Sequence, residues 1–499
     1  MASSAYATIG GGSHNEARAA YSAVGGGTSN TAAGYAAFVG GGGTSDSTPG
    51  NVANASWSTI TGGQSNQALA GWSFVGGGSS NTASAYYAVV VGGVWNSATS
   101  YSAIVAGGKL NVARAAFASV SGGRENSASA RWSTVAGGVL CNSRGRASSV
   151  GGGAWNTATG FFSTIGGGKH NNATSIASTV GGGLRNTIAA AAAAAVISGG
   201  ERNAAAGCSA AIVGGVENTA NGRASFVGAD DGNIASGEAS SVCGGTGNTA
   251  MADFAIVSGG KQSAALAHAA ALCGGTHKLA MAAYAFVGGG HANTAAGKWS
   301  MVGGGWQNVA AANGSVVAGG WVNRAYGLAA TVSGGTDNTA WGHATNIGGG
   351  SRNVAVGDSG AVCGGSDNLA NNIYATVAGG QSNTGNGNHS VISGGAFNFA
   401  ADAHTVVSGG RNNFAGGVAA SVGGGTLNIA EGNGASVGGG IGNTANHTWS
   451  TVAGGTRNSA LAGCLCWWWH RAYRCCSVQC GIRGNLQFGE RLLRRGGWR

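Results

Sequence analysis

One unit of fifteen residues recurs along almost the whole chain and restricts the possible folds more than any other feature. It is cleanest from Asn156 to His170, after which Asn171 opens the next copy. From Asn203 onward the first position falls on Asn218, Asn233 and Asn248, then Ser263 and Lys278, then Asn293 and every fifteenth residue to Asn458. A period this short and this strict predicts a stacked array in which each copy is one coil.

Four features carry the period. Column one is Asn, whose amide both donates and accepts, so identical side chains one strand spacing apart are expected to bond the copies above and below. Column three is Ala almost throughout, as at Ala17, Ala83, Ala250 and Ala460. Columns eight and ten are a small residue followed by Val or Ile, as in Ser22 with Val24 and Ser163 with Ile165. That alternation marks a strand with these columns facing inward. Columns twelve and thirteen are Gly-Gly, which relieves the cost of a sharp corner and of positive φ. Strand, corner, short strand, corner is the expected order.

Composition excludes the other glycine-rich classes. The chain has 499 residues with 101 Gly, one Pro and 8% charged residues. Collagen requires Gly at every third position with abundant Pro, and a disordered tract requires more charge. The formal charge of +10 suggests nucleic acid until it is located: residues 464–499 hold seven Arg and one Glu, leaving +4 for the array. No nucleic-acid partner is expected from so small an excess.

The array spans residues 1–463, and its interruptions are few. A loop at 43–50 holds Pro49, the only proline. Near Asn142 the Asn spacing goes sixteen then fourteen, which predicts a bulge. The alanine run from Ala189 accompanies a two-residue expansion, read as a bulged coil over 187–198 rather than a helical turn. No stretch is apolar for the length a membrane span needs, the start at Met1 lacks the features of a secretory signal, and no heptad stalk is present.

Residues 464–499 break the pattern and read as a frameshifted version of further repeat. Trp467-Trp468-Trp469 requires three TGG codons, which one base later encode glycine close to where the next Gly-Gly falls due. Resequencing the locus tests this. The Cys475, Cys476 and Cys480 cluster then carries no metal-ligand meaning, and Cys141, Cys208, Cys243, Cys273 and Cys363 stand alone as small buried or corner residues.

Catalytic patterns are missing. Gly166 to Lys169 lacks the spacing of a phosphate loop, and the scattered His residues have no carboxylate at a repeated spacing. Calcium-binding solenoids repeat Asp in each coil, and here Asp230-Asp231 is a single pair. No enzyme activity, cofactor or metal is expected.

Column seven is the candidate working surface. It holds Tyr21, Trp57, Trp72, Tyr87, Phe117, Trp132, Phe162, Phe254, Tyr284, Trp299, Tyr374 and Trp449. With columns eight and ten inward, column seven is expected outward, as a subunit interface or ligand face, or else as plain stacking between coils.

The pattern Ala-x-Gly-x-x-Ser-x-Val/Ile-Gly, at Ala158 to Gly166 and Ala220 to Gly228, resembles the head repeats of trimeric autotransporter adhesins, the YadA-like or hemagglutinin-type head. The resemblance implies a left-handed parallel β-roll, three chains together on a bacterial surface, binding host matrix or cells. The expectation is therefore an all-β, elongated parallel β-solenoid (β-roll) of about thirty 15-residue coils, with an adhesin-like attachment role. The alternatives are a passive fibre or surface-coat protein, and an ice- or carbohydrate-binding solenoid. Ice binding requires regular Thr ladders, whereas column two mixes Thr31, Val112, Leu279 and Phe399.

Overall fold

A computed structural model describes residues 1–43 and 49–460, together with the backbone of Leu465–Cys466. Most of the loop at 43–50 and nearly all of the tail at 464–499 lie outside the described residues, as do Cys475, Cys476 and Cys480 and the proposed frameshift. The chain divides into two compact units, Met1–Gln307 and Asn308–Arg499. Each is a parallel β-solenoid. Together they make about 30 coils, and the described residues contain no helix.

A typical coil contributes two short strands and one bridge. In the coil opened by Asn156 the strands are Thr157–Ala158 and Thr164–Ile165, and the bridge is at Lys169. Thr157–Ala158 pairs in parallel with Asn142–Ser143 before it and Asn172–Ala173 after it. Backbone donors reach the next coil at nearly every step, including Thr157 N to Asn171 O at 2.9 Å and Gly166 N to Val180 O at 2.9 Å. This settles the donors and acceptors that an isolated two-residue strand would leave unpaired.

The interior is a set of thin columns rather than a thick core. Asn156, Ala158, Ser163 and Ile165 are all fully buried, and their counterparts from Asn15 to Ala460 are buried too. Strand residues in columns two and nine face outward. The serine of column eight fastens the corner before it: Ser163 Oγ donates to Gly160 O at 2.8 Å, and its N–H bonds the same carbonyl at 3.2 Å. Its own turn thereby partners this buried hydroxyl, whereas those of Ser225, Ser240, Ser300 and Ser390 in the same column are buried without such a bond.

The asparagine column works differently from expectation. Asn171 Nδ2 donates to Gly167 O of the preceding coil and to Gly183 O of its own, both at 2.9 Å, while Oδ1 accepts from Asn186 N of the next at 3.0 Å. The amide mainly serves main-chain groups rather than other amides, because the glycine corner turns two carbonyls towards it. Direct amide pairs supplement this only locally, as from Asn338 Nδ2 to Asn323 Oδ1 at 3.1 Å.

Three corner columns hold left-handed backbone, not one. Gly168 has φ 83°, and a Cβ there would lie 2.1 Å from Gly183 O, so column thirteen strongly favours glycine; Asp230, at φ 70°, is an exception. Column twelve has no such need, since a Cβ at Gly167 would meet nothing within 4 Å. The other left-handed columns, seven and fifteen, carry side chains: Phe162 has φ 57° and His170 has φ 57°. Their N–H groups bond carbonyls of the preceding coil, Phe162 N to Arg146 O at 3.0 Å and His170 N to Ala154 O at 2.9 Å. The stack imposes a conformation that costs L-residues about 1 kcal/mol each.

The bulge expected near Asn142 does not occur. Cys141 occupies the asparagine column, its N–H bonding Asn126 Oδ1 at 2.9 Å, and Asn142 pairs with Ser127 in unbroken register. The compensating spacings arise because a cysteine stands in column one and an unrelated asparagine follows it. At the alanine run, Val196–Ile197 keeps its place between Thr179–Val180 and Ala211–Ile212, so the two added residues are absorbed in the corner at 189–195. Thr31–Ala32 and Val52–Ala53 likewise pair across the 43–50 loop.

Candidate functional site

The column-seven residues all stand at the outward corner, between 40% exposed at Trp132 and 74% at Trp449. The reason is the left-handed turn, whose backbone directs Cβ away from the coil, rather than strand alternation. Tyr21, Trp57 and Trp72 have φ of 60°, 56° and 59°.

The fold brings six of the twelve into one row and adds three rings: Tyr6, which is column seven of the first coil, and two that column seven alone does not predict. The row runs Tyr6, Tyr21, Tyr35, Trp57, Trp72, Tyr87, Tyr101, Phe117 and Trp132, with successive centroids 4.6 to 6.4 Å apart. Tyr35 and Tyr101 come from column six, in coils whose column seven is Ala36 and Ser102. They reach the gap left by the small neighbour and meet the row edge-on, Tyr35 at 71° and 74° to the rings beside it. Between two column-seven rings the contact is stacked instead, as in Trp57 with Trp72 at 9°. Within this row the sequence signal is an aromatic one position early where column seven is small, at Tyr35 before Ala36 and Tyr101 before Ser102.

A second row in the same unit follows the same rule. Phe254, Tyr284 and Trp299 are joined by His268 of column six, beside Ala269, at 80° to each neighbour. In the Asn308–Arg499 unit, Tyr374 stacks on His389 and His389 on His404 at 4.8 and 5.0 Å. Phe162 and Trp449 join no ring row among the described residues.

Beside the long row an open recess of about 450 Å³ is lined by Asn54, Ser56, Trp57, Trp72 and Tyr86. At the other end of the row, Arg131 and Arg146 lie over the Trp132 ring at 4.0 and 4.9 Å. Elsewhere charges pair from coil to coil: Arg202 with Glu217 at 2.9 Å, Arg223 with Glu238 at 3.0 Å and Arg352 with Asp367 at 2.6 Å. The hydrogen bond from Arg352 holds the Asp367 carboxyl down at about 2, helped by Ser366.

Two ionisable side chains stand in the ladder among the described residues, Cys141 and Lys278. Lys278 stands in the asparagine column, fully buried, with Nζ donating to Gly274 O at 2.6 Å and to Cys273 O. Burial pushes its pKa below the ordinary lysine value, opposed by Cys273. Burial likewise pushes the Cys141 thiol up, and Cys208, Cys243 and Cys363 are exposed. Among the described residues no group of three His, Cys, Asp or Glu side chains is placed to hold a metal ion, and no helix is long and apolar enough to cross a membrane.

No protein-family model matches the chain, and no curated protein matches it.

Proposed function

We propose that the protein is a cell-surface attachment module, resembling the head of a trimeric autotransporter adhesin, that presents its aromatic corner to a host-surface or matrix ligand or to further copies of itself. The observation carrying this reading is the nine-ring row from Tyr6 to Trp132, displayed on an array whose interior hardly varies. Rings at such a corner add little to the thin interior, yet they form a continuous apolar edge of the kind that marks interaction sites. A homotrimer and an extracellular setting follow from the family resemblance, and the chain is read as non-enzymatic.

A passive fibre or coat protein is the second reading, favoured by one feature. The ring faces in the row are largely turned on one another, so stacking alone gives them a role between coils. Replacing Trp57, Trp72, Tyr87 and Trp132 together by Ser separates the two. The attachment reading expects reduced oligomer mass in sedimentation or reduced retention on matrix-coated surfaces, with an unchanged β-sheet circular dichroism spectrum. Unchanged mass together with unchanged retention would leave the passive reading.

A further inference from the structure

The charge of the array is unevenly placed. Residues 101–200 hold eight Lys and Arg against a single acid, Glu125, while the rest of the array is slightly acidic. Glu125 is engaged by Arg124 at 3.2 Å. Lys109 and Lys169, in column fourteen, lie over Trp95 and Trp155 at 5.5 and 4.9 Å. Arg185 stands apart in column fifteen, and Arg114, Arg131, Arg144 and Arg146 lie on the column four-to-six edge, all exposed and without an acidic partner among the described residues, Arg131 and Arg146 resting over Trp132.

These four occupy three consecutive coils. Val112–Ala113, Ser127–Ala128 and Asn142–Ser143 pair in order, which fixes the coils as neighbours. At a parallel strand spacing of about 4.8 Å, Arg114 and Arg144 in column four are about 10 Å apart along the stack. Arg131 and Arg146 follow one another in column six. The cluster fits within roughly one or two screening lengths at physiological salt, about 8 Å each, so its cations act as one positive surface. No acid in a neighbouring coil balances the cluster, whereas Arg202, Arg223 and Arg352 each have an acid one coil on.

We infer that this edge binds a linear acidic polysaccharide, lying along the coil-stacking direction at the end of the aromatic row. Charge complementarity calls for an anionic partner, and planar guanidinium groups match carboxylate and sulfate oxygens in paired hydrogen bonds. Column four reads Arg114, Ser129, Arg144, Thr159, an alternation of cation and hydroxyl suited to a chain bearing both acid groups and sugar hydroxyls. Single-stranded nucleic acid fits less well, because its bases need open aromatic faces. Trp132 has Phe117 stacked at 6.2 Å and the two guanidinium groups over its ring. The inference rests on the attachment reading for its setting, while the arginine geometry stands apart from it.

Titration calorimetry on the full chain tests this, with a sulfated, uronate-containing decasaccharide as probe, and a thymidine decanucleotide and a glutamate decapeptide as competitors in class. The decasaccharide is expected to bind most tightly, with an affinity that falls as salt rises. The variant Arg114→Ser, Arg131→Ser, Arg144→Ser, Arg146→Ser should weaken it by roughly tenfold or more and flatten the salt dependence. The control Arg223→Ser, Arg352→Ser should leave it unchanged, and circular dichroism of both variants should match the parent. No decasaccharide binding, equal loss in the control, or tighter binding of the nucleotide or peptide would overturn the inference. Attachment that survives in the four-arginine variant after saccharide binding is lost would separate this site from the aromatic row. Saccharide binding without any attachment to matrix would sink the attachment reading and leave this site standing.

Discussion

Residues 51–137 and residues 203–245 share an interior and differ at the corner. Asn81 donates to Gly77 O and Gly93 O at 2.8 Å and accepts from Asn96 N at 2.9 Å; Asn218 donates to Gly214 O and Asp230 O at 2.8 Å and accepts from Asn233 N at 2.9 Å. Column seven, however, carries Trp57, Trp72, Tyr87, Phe117 and Trp132 in the first region, and Ser209, Ala224 and Ala239 in the second. Where rings are absent, an exposed pair such as Arg223 with Glu238 decorates the edge instead. The comparison teaches that the coil closes without help from the corner side chain. Whatever selects rings at 51–137 is therefore something other than closing the fold.

The largest effect should come from the part the regions share. Asn81→Leu or Asn218→Leu would bury one carbonyl, Gly77 O or Gly214 O, and one N–H without partners, since Gly93 O and Asp230 O keep Ser79 N and Val216 N; the cost is about 2 kcal/mol or more in either place. Denaturant midpoints of the two variants should fall together. A clear difference between them would break the claim of a common interior.

Next in size is a contrast within one corner. Gly93 has φ 89° and no room for a Cβ, which would sit 2.1 Å from Gly108 O, whereas a Cβ at Gly92 meets nothing. Gly93→Ala should cost about 2 kcal/mol or more, and Gly92→Ala less than about 1 kcal/mol. Equal costs in thermal unfolding would contradict the corner geometry.

The break in the ladder at Lys278 offers a pH test. Its ammonium is the form that burial disfavours, so a penalty is present below the lowered folded-state pKa and fades as pH rises toward the ordinary lysine value. Lys278→Asn should raise the unfolding midpoint at neutral pH, and the gain should shrink in alkali. A gain independent of pH would assign the effect to packing.

The smallest effect separates the corner from the strands. Ala224 and Ala239 have φ 53° and 51°, where glycine carries no Cβ penalty. Ala224→Gly should therefore be neutral or stabilising by up to about 1 kcal/mol, while Ala220→Gly in the strand before it should destabilise.

Much of this was legible because identical coils stack in register. Repetition exposes the buried columns directly: Asn156, Ala158, Ser163 and Ile165 recur as types because each faces the same neighbours. What the amide of Asn171 bonds was less legible, since its partners are main-chain carbonyls of the glycine corner, which no side chain announces. Left-handed backbone at Trp57 and His170 was hidden for a similar reason: neighbouring coils impose it on residues that do not prefer it. The Cys141 substitution imitated a bulge because counting asparagines follows the residue and not the register. Tyr35 and Tyr101 escaped because side-chain reach across a corner lets two columns feed one row.

The central claim is that the ring row, not the coil beneath it, carries attachment. Its most direct test is retention on matrix-coated surfaces of two full-length chains: one with Trp57, Trp72, Tyr87 and Trp132 replaced by Ser, and one in which that variant also carries Ser209→Trp, Ala224→Trp and Ala239→Trp. Both must show the parent's circular dichroism. Retention should fall in the first chain and recover in the second. Undiminished retention in the first would contradict the account.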